Sequence, residues 1–321
     1  MIIGIDLGGT RIKGGLVNNG ILIDTEIIEA ESDNAFISQL PKIKNLIDTL
    51  LKRNNLTRDH LSGLGCTFPG IVDSTQMKIL STNVKYRGAP DVDLSGWVQS
   101  TYNLPFAMDN DARVALLGEW QYGAGKGIDD LVMVTLGTGI GGAALMNGQL
   151  VRGRHFVAGC LGGHFTINFQ GSACQCGNIG CVEAEASTWR LPQMILESPG
   201  SGNSALSRME QVDYRDVFEL AKEGDRLAQE IREKSLKAWA FGIVNMIHAY
   251  DPVRVIVGGG IIHQNEEIIT AIQKIVNQHS WTPWGNVNVV MARWPDQNAI
   301  LGCEYLLNNT AIQNKQRIDK L

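Results

Sequence analysis

Four side chains that can bind a soft metal lie within eighteen residues of the chain, in the spacing H-x9-C-x-C-x4-C: His164, Cys174, Cys176 and Cys181. Imidazole and thiolate ligands in this number suit tetrahedral zinc. Because four protein ligands leave no position for a water molecule, the pattern predicts a structural zinc ion that fixes a loop. One alternative is three free or core cysteines beside an unrelated histidine. A disulfide fits less well still, because Cys174 and Cys176 are too close to bridge easily and the odd count leaves a thiol over.

Glycine-rich turns indicate nucleotide binding at three places. The segment Asp6-Leu-Gly-Gly-Thr10 combines a carboxylate, two glycines and a hydroxyl between two predicted strands. Glycines let the main chain approach a phosphate closely and point N–H groups at it, and Asp6 could hold Mg²⁺ through water. A plain hairpin is the alternative for this segment. A second turn occupies residues 136–142, and Gly258-Gly259-Gly260 follows a predicted buried strand, where it could lie under a nucleobase or ribose.

None of these turns is a Walker A loop, because the Gly-Lys-Ser/Thr ending is absent, and no strand-GxGxxG-helix unit for a dinucleotide opens the chain. Three glycine turns with hydroxyls favour a nucleoside triphosphate. The residues that we assign to nucleotide binding are Asp6, Gly8, Gly9, Thr10, Lys13, Gly137, Thr138, Gly139, Gly259 and Gly260.

A candidate for acid–base chemistry lies at Asp109-Asn110-Asp111, just before a predicted helix. Asp111 could take a proton from an attacking hydroxyl while Asn110 orients the acceptor. Phosphoryl transfer needs one such base besides positioning and charge stabilisation. An aspartate at this place is also an ordinary helix N-cap, and the spacing alone leaves both interpretations open.

Composition limits the possible functions. The chain has 321 residues, enough for two domains, and its formal net charge of -5 argues against a nucleic-acid-binding surface. The longest apolar stretch, residues 131–146, is broken by threonines and glycines, so no membrane-spanning helix is expected. Asp6 interrupts the first apolar run, which disfavours a signal peptide. With cysteines clustered for metal, we expect a cytoplasmic protein.

One local pattern occurs twice along the chain. A strand, a glycine turn, a second strand and an Asn-Gly pair end at Asn19-Gly20, and the same order ends at Asn147-Gly148. Asn-Gly is a strong hairpin signal. The repetition indicates an internal duplication, although two common hairpins could match by chance.

Strands and helices alternate on both sides of residue 120, which predicts an α/β protein of two similar lobes with a cleft between them. The apolar spacing predicts strands at 64–68 and 253–257 and helices at 35–56, 112–122, 215–249 with an interruption near Gly224, 266–277 and 298–307, with a loosely held end from Asn308.

Together these segments resemble the ROK (repressor, open reading frame, kinase) family of sugar kinases, in order from residue 2 to about Gly302. The segments that carry the resemblance are Asp6-Leu-Gly-Gly-Thr10, Asn110-Asp-Ala112, Leu136-Gly-Thr-Gly-Ile-Gly-Gly142, the run Cys174-x-Cys176-Gly-x-x-Gly-Cys181-x-Glu183, and Asp251-Pro252 followed by Gly258-Gly-Gly260.

The resemblance implies a two-lobed, actin-like ATPase (ribonuclease H-like) fold with a structural zinc loop, and a homodimer. We expect an N-terminal lobe of residues 1–118, completed by a C-terminal helix at 298–321. The second lobe would be residues 119–297, with the zinc loop at 164–181.

The resemblance also implies ATP-dependent phosphorylation of a hexose at its 6-hydroxyl, with Asp111 as the base. His164 would bind zinc through one ring nitrogen and the sugar through the other. The residues expected at the sugar are Gly70, Asn83, Asn110, Asp111, His164 and Glu183.

The chain departs from the family pattern at one point. The family usually has Gly-Glu-x-Gly-His, whose glutamate binds hydroxyls near the anomeric end of the sugar, whereas this chain has Cys160 or Leu161 at that place, depending on the alignment. A lost charge-assisted hydrogen bond costs about 1.5–3 kcal/mol of binding. We expect catalysis to survive and the identity of the sugar to be open.

Several alternatives therefore remain. Glucokinase is the leading one, with N-acetylmannosamine or N-acetylglucosamine kinase, fructokinase and allose kinase as related activities. A sugar sensor without catalysis is a further possibility. A repressor of the family would need a DNA-binding segment ahead of Asp6, where this sequence has five residues, so we expect no nucleic-acid partner.

Overall fold

The computed structural model describes residues 1–82, 84–262 and 265–318, the last nine of these by main chain alone. Its strands are β1 (Ile2–Leu7), β2 (Arg11–Asn18), β3 (Ile21–Glu29), β4 (Gly63–Phe68), β5 (Gly70–Asp73), β6 (Lys78–Thr82), β7 (Phe106–Asn110), β8 (Leu131–Leu136), β9 (Ile140–Met146), β10 (Gln149–Leu150), β11 (Arg254–Gly258) and β12 (Asn288–Met291). Its α-helices are α1 (Leu40–Arg53), α2 (Leu94–Tyr102), α3 (Asp111–Tyr122), α4 (Val182–Ala186), α5 (Leu191–Glu197), α6 (Tyr214–Lys222), α7 (Arg226–Tyr250), α8 (Glu266–His279) and α9 (Asn298–Ile318).

The chain divides into two compact units, each made of separate segments. Unit 1 comprises Met1–Asp129, Leu150–Cys160 and Asp296–Leu321, and unit 2 comprises Asp130–Gln149 and Leu161–Pro295. Residues 119–129 and 150–160, which the sequence analysis assigned to the second lobe, thus group with the first. Residues 119–122 complete α3, and the 150–160 segment is tied to unit 1 by an ion pair between Arg152 and Asp109.

Each unit contains a five-stranded mixed sheet with the same strand order. In unit 1 the order is β3-β2-β1-β4-β7, and in unit 2 it is β10-β9-β8-β11-β12. The hairpin strands β1 and β2, like β8 and β9, are antiparallel, whereas β1-β4-β7 and β8-β11-β12 are parallel. The glycine turns predicted to bind phosphate join β1 to β2 and β8 to β9. They therefore occupy equivalent places in the two sheets.

The Asn-Gly pairs form the predicted hairpin turns. Asn19 and Gly20 have φ angles of 51° and 75°, and Asn147 and Gly148 have 50° and 70°. Two successive left-handed residues suit a type I′ turn, whose twist matches that of the flanking strands.

The final helix is longer than its apolar spacing predicts and is close to the 298–321 helix that the family resemblance implies. Apolar spacing indicates a helix that ends at Leu307, with a loose end from Asn308, but α9 continues to Ile318. Residues 308–318 contain neither glycine nor proline, and adding residues to a helix that already exists costs far less than starting one. Among the described residues, no helix combines the length and the apolar character that crossing a membrane requires.

Glycines bring α9 and α3 of unit 1 into main-chain contact. A Cβ built on Gly302 would overlap the Val114 carbonyl oxygen and lie 3.0 Å from the Gly118 nitrogen. A Cβ on Gly118 would likewise overlap the Asn298 carbonyl oxygen. Neither obstacle can rotate away, because each is main chain in the facing helix.

We expect Gly302→Ala to lower the free energy of unfolding by about 1–3 kcal/mol, because α3 and α9 must move apart to make room for the methyl group. Denaturant unfolding would measure the change. Gly202→Ala is the matched control, because no atom lies within 4 Å of a Cβ at that position, and it should change stability by no more than about 0.5 kcal/mol. Equal effects of the two substitutions would contradict this account of the α3–α9 contact.

Candidate active site and metal centre

Asp111 lies where β7 ends and α3 begins, and its two carboxylate oxygens have different surroundings. Oδ1 accepts hydrogen bonds from the Ala112 N–H at 2.8 Å and from Nδ2 of Asn110 at 2.9 Å. Among the described residues, no hydrogen bond to Oδ2 is formed. One oxygen is thus held in place while the other can accept a proton.

The pKa of the Asp111 carboxyl is raised to about 6, mainly because the surrounding protein desolvates the group and to a lesser degree because Asp6 is negatively charged. Hydrogen bonds from Ala112 and Asn110 act in the opposite direction. A carboxylate whose pKa is near the working pH is a better proton acceptor than an ordinary aspartate.

Asn110 joins Asp111 to the neighbouring hairpin. Its side chain is 7% exposed and donates from Nδ2 to the Gly70 carbonyl oxygen at 3.1 Å, while its Oδ1 caps α3 by accepting from the Arg113 N–H at 3.3 Å. The predicted residues Gly70, Asn110 and Asp111 therefore lie together. Asn83, also predicted to contact the sugar, lies outside the described residues.

A buried ion-pair network adjoins Asp111, and the sequence analysis did not find it. Asp109 is fully buried and binds Arg152, with an Nη2–Oδ2 distance of 2.7 Å, and Arg113, with an Nη1–Oδ1 distance of 3.4 Å. Arg113 also donates from Nη2 to the carbonyl oxygens of Phe156 and Ala158 at 3.0 and 2.6 Å. The only sequence signal was the i, i+4 spacing of Asp109 and Arg113. The 150–160 segment is thus anchored to the turn that carries Asp111.

The predicted phosphate turn of unit 1 is held by hydrogen bonds to its carbonyl oxygens. Tyr86 donates its hydroxyl to the Gly8 carbonyl oxygen at 2.6 Å, and Ser32 donates to that of Gly9 at 2.5 Å. These bonds fix the turn without using the N–H groups of Gly9 and Thr10.

Two charged residues predicted to serve the nucleotide face each other across the β1–β2 ladder, where Asp6 pairs with Lys13. Asp6 accepts a hydrogen bond from the Thr67 hydroxyl at Oδ1 with a distance of 2.6 Å, so Oδ2 is the oxygen available for the predicted contact with hydrated Mg²⁺. Lys13 lies 3.4 Å from Asp296, so its ammonium is already paired.

In unit 2 the corresponding turn is held by the segment that follows the cysteines. The N–H groups of Thr188 and Trp189 donate to the carbonyl oxygens of Gly137 and Thr138 at 3.1 and 3.2 Å. The end of β11 lies against the start of the same turn: Gly259 has a φ of 92°, and a Cβ there would be 2.7 Å from the Leu136 nitrogen. The glycine segments predicted in unit 2 are therefore neighbours.

Glu183, predicted to contact the sugar, is 6% exposed and bonded to the protein at both oxygens. Oε2 accepts from the Ile140 N–H at 2.8 Å, and Oε1 accepts a longer bond of 3.4 Å from the Trp189 ring. The weaker of these bonds leaves Oε1 the more available oxygen. Trp189 carried no motif by which the sequence could have marked it.

The predicted metal ligands form one cluster. One ligand atom each from His164, Cys174, Cys176 and Cys181 lies within 4.8 Å of the other three. The Cys176 and Cys181 sulfurs are 3.7 Å apart, and Nδ1 of His164 is 3.6 Å from the Cys174 sulfur. Zinc bonds of ordinary length and tetrahedral angle give edges of about 3.8 Å between sulfurs and about 3.6 Å from sulfur to nitrogen. The donor set and its spacing fit zinc.

Without a bound metal, the surroundings of the cluster favour neutral thiols over thiolates. Burial raises the pKa of the Cys181 thiol, and the neighbouring Cys174 and Cys176 raise it further. Three thiolates would repel one another in this space, and a bound Zn²⁺ would remove that cost.

His164 lies at the end of a 3₁₀ turn, Gly162–His164, packed on β9. A Cβ on Gly163 would overlap the Ile140 carbonyl oxygen, so the turn lies directly on the strand that follows the predicted phosphate turn. Nδ1 of His164 is directed at Cys174, so Nε2 is the ring nitrogen that faces away from the cluster.

At the departure from the family pattern, neither candidate residue replaces the missing carboxylate. Cys160 is 7% exposed, and its sulfur lies 3.6 and 3.5 Å from the carbonyl oxygens of Phe156 and Val157. Leu161 is 37% exposed. Burial raises the pKa of the Cys160 thiol, so it is neutral.

Comparison with known proteins gives one family. The model of the ROK family matches residues 2–310. A glucokinase from Thermotoga maritima is 30% identical over 314 residues, which cover 95% of this chain and 96% of that protein. A xylose repressor from Caldicellulosiruptor bescii is 30% identical over 313 residues, which cover 94% of this chain and 76% of that protein.

Among solved structures, a ROK family glucokinase from Streptomyces griseus in complex with glucose and AMPPNP has the same fold. It matches with a TM-score of 0.80 at 26% identity, over 95% of this chain and 98% of that chain. The predicted family and the predicted actin-like ATPase fold are therefore confirmed.

We expect the purified chain to contain about one zinc ion and Cys176→Ser to lose it, because three remaining ligands cannot close a tetrahedral site. Elemental analysis would measure the metal content. Cys66→Ala, at a cysteine outside the cluster, should keep the zinc. Unchanged zinc content in Cys176→Ser would show that the ligand set is wrong.

Proposed function

The chain belongs to the ROK family, and from this premise we propose that it is an ATP-dependent sugar kinase that phosphorylates the 6-hydroxyl of a hexose, with Asp111 as the general base. The observation that carries the proposal is the Asp111 carboxylate, with one oxygen held, the other open, and a pKa raised to about 6. A group of this kind suits proton abstraction from an alcohol.

In the proposed reaction, the 6-hydroxyl oxygen forms a bond to the γ-phosphorus as the bond from that phosphorus to the β,γ-bridging oxygen breaks. The hydroxyl proton passes to Oδ2 of Asp111, and the electron pair of the broken bond leaves with ADP. Asn110 keeps Asp111 in place through its bond to Oδ1, and its own position is fixed by Gly70.

The phosphates of ATP would be bound by free N–H groups of the two glycine turns, with Mg²⁺ supplying charge neutralisation. Hydrogen bonds to the carbonyl oxygens of Gly8, Gly9, Gly137 and Thr138 fix both turns and leave phosphate-binding N–H groups unused. Residues Gly259 and Gly260 would lie near the nucleoside.

The sugar would also contact Nε2 of His164 and Oε1 of Glu183. Zinc, when bound, would fix the loop that carries both residues and would take no part in the reaction. Binding of the metal at Nδ1 also sets the His164 tautomer, because a hydrogen then remains on Nε2 and can be donated to a hydroxyl oxygen.

Glucose is the acceptor that the comparisons favour, because the glucokinases of Thermotoga maritima and Streptomyces griseus align with almost the entire chain. The neutral Cys160 and Leu161 leave the anomeric end of the sugar without the family's glutamate. Weaker discrimination between hexoses is the expected result, so N-acetylmannosamine, N-acetylglucosamine and fructose belong in the same test.

A sugar-responsive protein without catalysis is the second candidate, and the similarity to a xylose repressor favours it. Such a protein would bind a sugar without needing a base of raised pKa. The two candidates therefore differ in ADP formation, not in sugar binding.

The deciding experiment measures ADP formation from Mg-ATP with a panel of hexoses and xylose at millimolar concentration. We expect turnover with at least one hexose, and a loss of about 10²- to 10⁴-fold in Asp111→Asn with sugar binding retained. Sugar binding without ADP formation by the wild-type chain would refute the kinase and support the sensor.

Stability serves as the control for Asp111→Asn. Because the folded state raises the pKa of Asp111, the charged carboxylate destabilises the fold above pH 6, and this penalty disappears as the pH falls below the ordinary value of about 3.9. At pH 8 the variant should thus be at least as stable as the wild type, which separates loss of the base from misfolding.

The same pKa predicts a pH dependence. The base must be unprotonated, so kcat/KM for the hexose should be constant at alkaline pH and fall about tenfold per pH unit below about pH 6, with Mg²⁺ in excess. Steady-state rates between pH 5 and 9 would measure it. A profile that stays flat down to about pH 4, the ordinary range of aspartate, would contradict a desolvated base.

A further inference from the structure

We infer that Lys85 is a second catalytic residue, whose ammonium binds the transferred phosphoryl group at the Asp6–Thr10 turn. The inference rests on the proposed kinase function and adds to it a cationic residue that belongs to none of the glycine or cysteine motifs. Three features of unit 1 support it: the position of the Lys85 ammonium, the anchoring of the segment that carries Lys85, and the absence of a carboxylate paired with Lys85 among the described residues.

The Lys85 side chain lies along Gly9. A Cβ built on Gly9 would overlap Nζ of Lys85 and lie 2.8 and 2.9 Å from its Cε and Cδ. The end of the Lys85 side chain thus occupies the space beside the Gly9 main chain that a larger residue would fill. The ammonium stands directly over main chain whose neighbouring N–H groups are proposed to hold phosphate.

The segment that carries Lys85 is anchored firmly. The next residue, Tyr86, is fully buried, donates its hydroxyl to the Gly8 carbonyl oxygen at 2.6 Å, and donates its N–H to the Ser32 carbonyl oxygen at 2.6 Å. Its ring packs against Phe36 and Phe68, with centroid distances of 5.5 and 5.7 Å. The position of Lys85 beside the turn thus follows from packed neighbours.

In the part of the chain that the structure describes, no carboxylate pairs with Lys85. Among the described residues it forms neither an ion pair nor a hydrogen bond, although its side chain is only partly exposed. Lys13, on the adjoining strand, is by contrast paired with Asp296. A partly buried ammonium without a carboxylate is available to an anion, and a phosphate oxygen is the anion that this turn is suited to bind.

The chemistry gives this charge a defined role. During transfer the negative charge is spread over the three equatorial oxygens of the phosphoryl group, and a fixed cation there lowers the barrier. Lysine acts in this role as a point charge. Asp111 takes the proton of the hydroxyl while Lys85 neutralises charge on the group that the hydroxyl attacks, so the two residues act on different partners of the reaction.

The test compares Lys85→Met, Lys85→Arg and Lys78→Met in the full chain. Lys78 is an exposed lysine of β6 outside the site, and its variant is the matched control. We expect Lys85→Met to lower kcat by about 10²-fold, with the Kd for hexose unchanged and thermal unfolding unaltered. Lys85→Arg should recover part of kcat because it keeps the charge, and Lys78→Met should match the wild type.

The outcomes distinguish this inference from the proposed function. A kcat for Lys85→Met within twofold of the wild type would overturn the role of Lys85 while leaving the kinase intact. Equal losses of hexose binding and kcat would also overturn it, because they would place the lysine at the sugar. If the wild-type chain forms no ADP, the proposed function fails. In that case, titration with Mg-AMPPNP tests whether Lys85 still contacts phosphate. If Lys85→Met binds Mg-AMPPNP as tightly as the wild type does, the phosphate contact is overturned as well.

Discussion

Main chain lying against main chain, closer than a Cβ allows, is the constraint on which both units depend. In unit 1 it brings α9 onto α3 at Gly302, and in unit 2 it brings the turn of His164 onto β9 at Gly163 and the end of β11 onto β8 at Gly259. Contacts of this kind do not rotate between side-chain conformations, so they set strand ends and turns within narrow limits. The positions of the turns proposed to bind phosphate are therefore set by the neighbouring strands and helices. The turns need no large side chains of their own to hold them in place.

Two aspartates that are separated by one residue have opposite electrostatic surroundings. Asp109 is surrounded by Arg113 and Arg152, whereas Asp111 has no cationic partner among the residues that the structure describes, and desolvation and Asp6 raise its pKa. A buried ion pair contributes little net stability, since its desolvation cost offsets much of the attraction, but it fixes geometry. Asp109 thus acts as a structural anchor, and Asp111, which does not share this role, is the carboxylate that we propose as the base. Separation of roles between neighbouring carboxylates is a common way to obtain a base at neutral pH.

Much of the fold and part of the candidate site could be predicted from local patterns. The Asn-Gly hairpins and the Cys-rich cluster depend on residues close in sequence, and each of them lies where the pattern placed it. Contacts between distant segments could not be predicted. Arg152 meets Asp109 across 43 residues, and Lys85 reaches Gly9 through a segment without a motif. Apolar spacing alone missed the length of α9, because its polar last turns lack the spacing by which helices are identified, whereas the family resemblance implied a helix to the end of the chain.

Because unit 1 is built from segments far apart in the sequence, it cannot be completed until the end of translation. Its sheet is encoded in the first third of the sequence, but the helix that packs on β1 and β4 is encoded after residue 297. During translation, the apolar groove around Gly4 and Gly65 stays uncovered while nearly all of unit 2 emerges from the ribosome. Vectorial folding should thus complete the downstream unit first, and the nascent N-terminal sheet would be a client for chaperones until the end of synthesis.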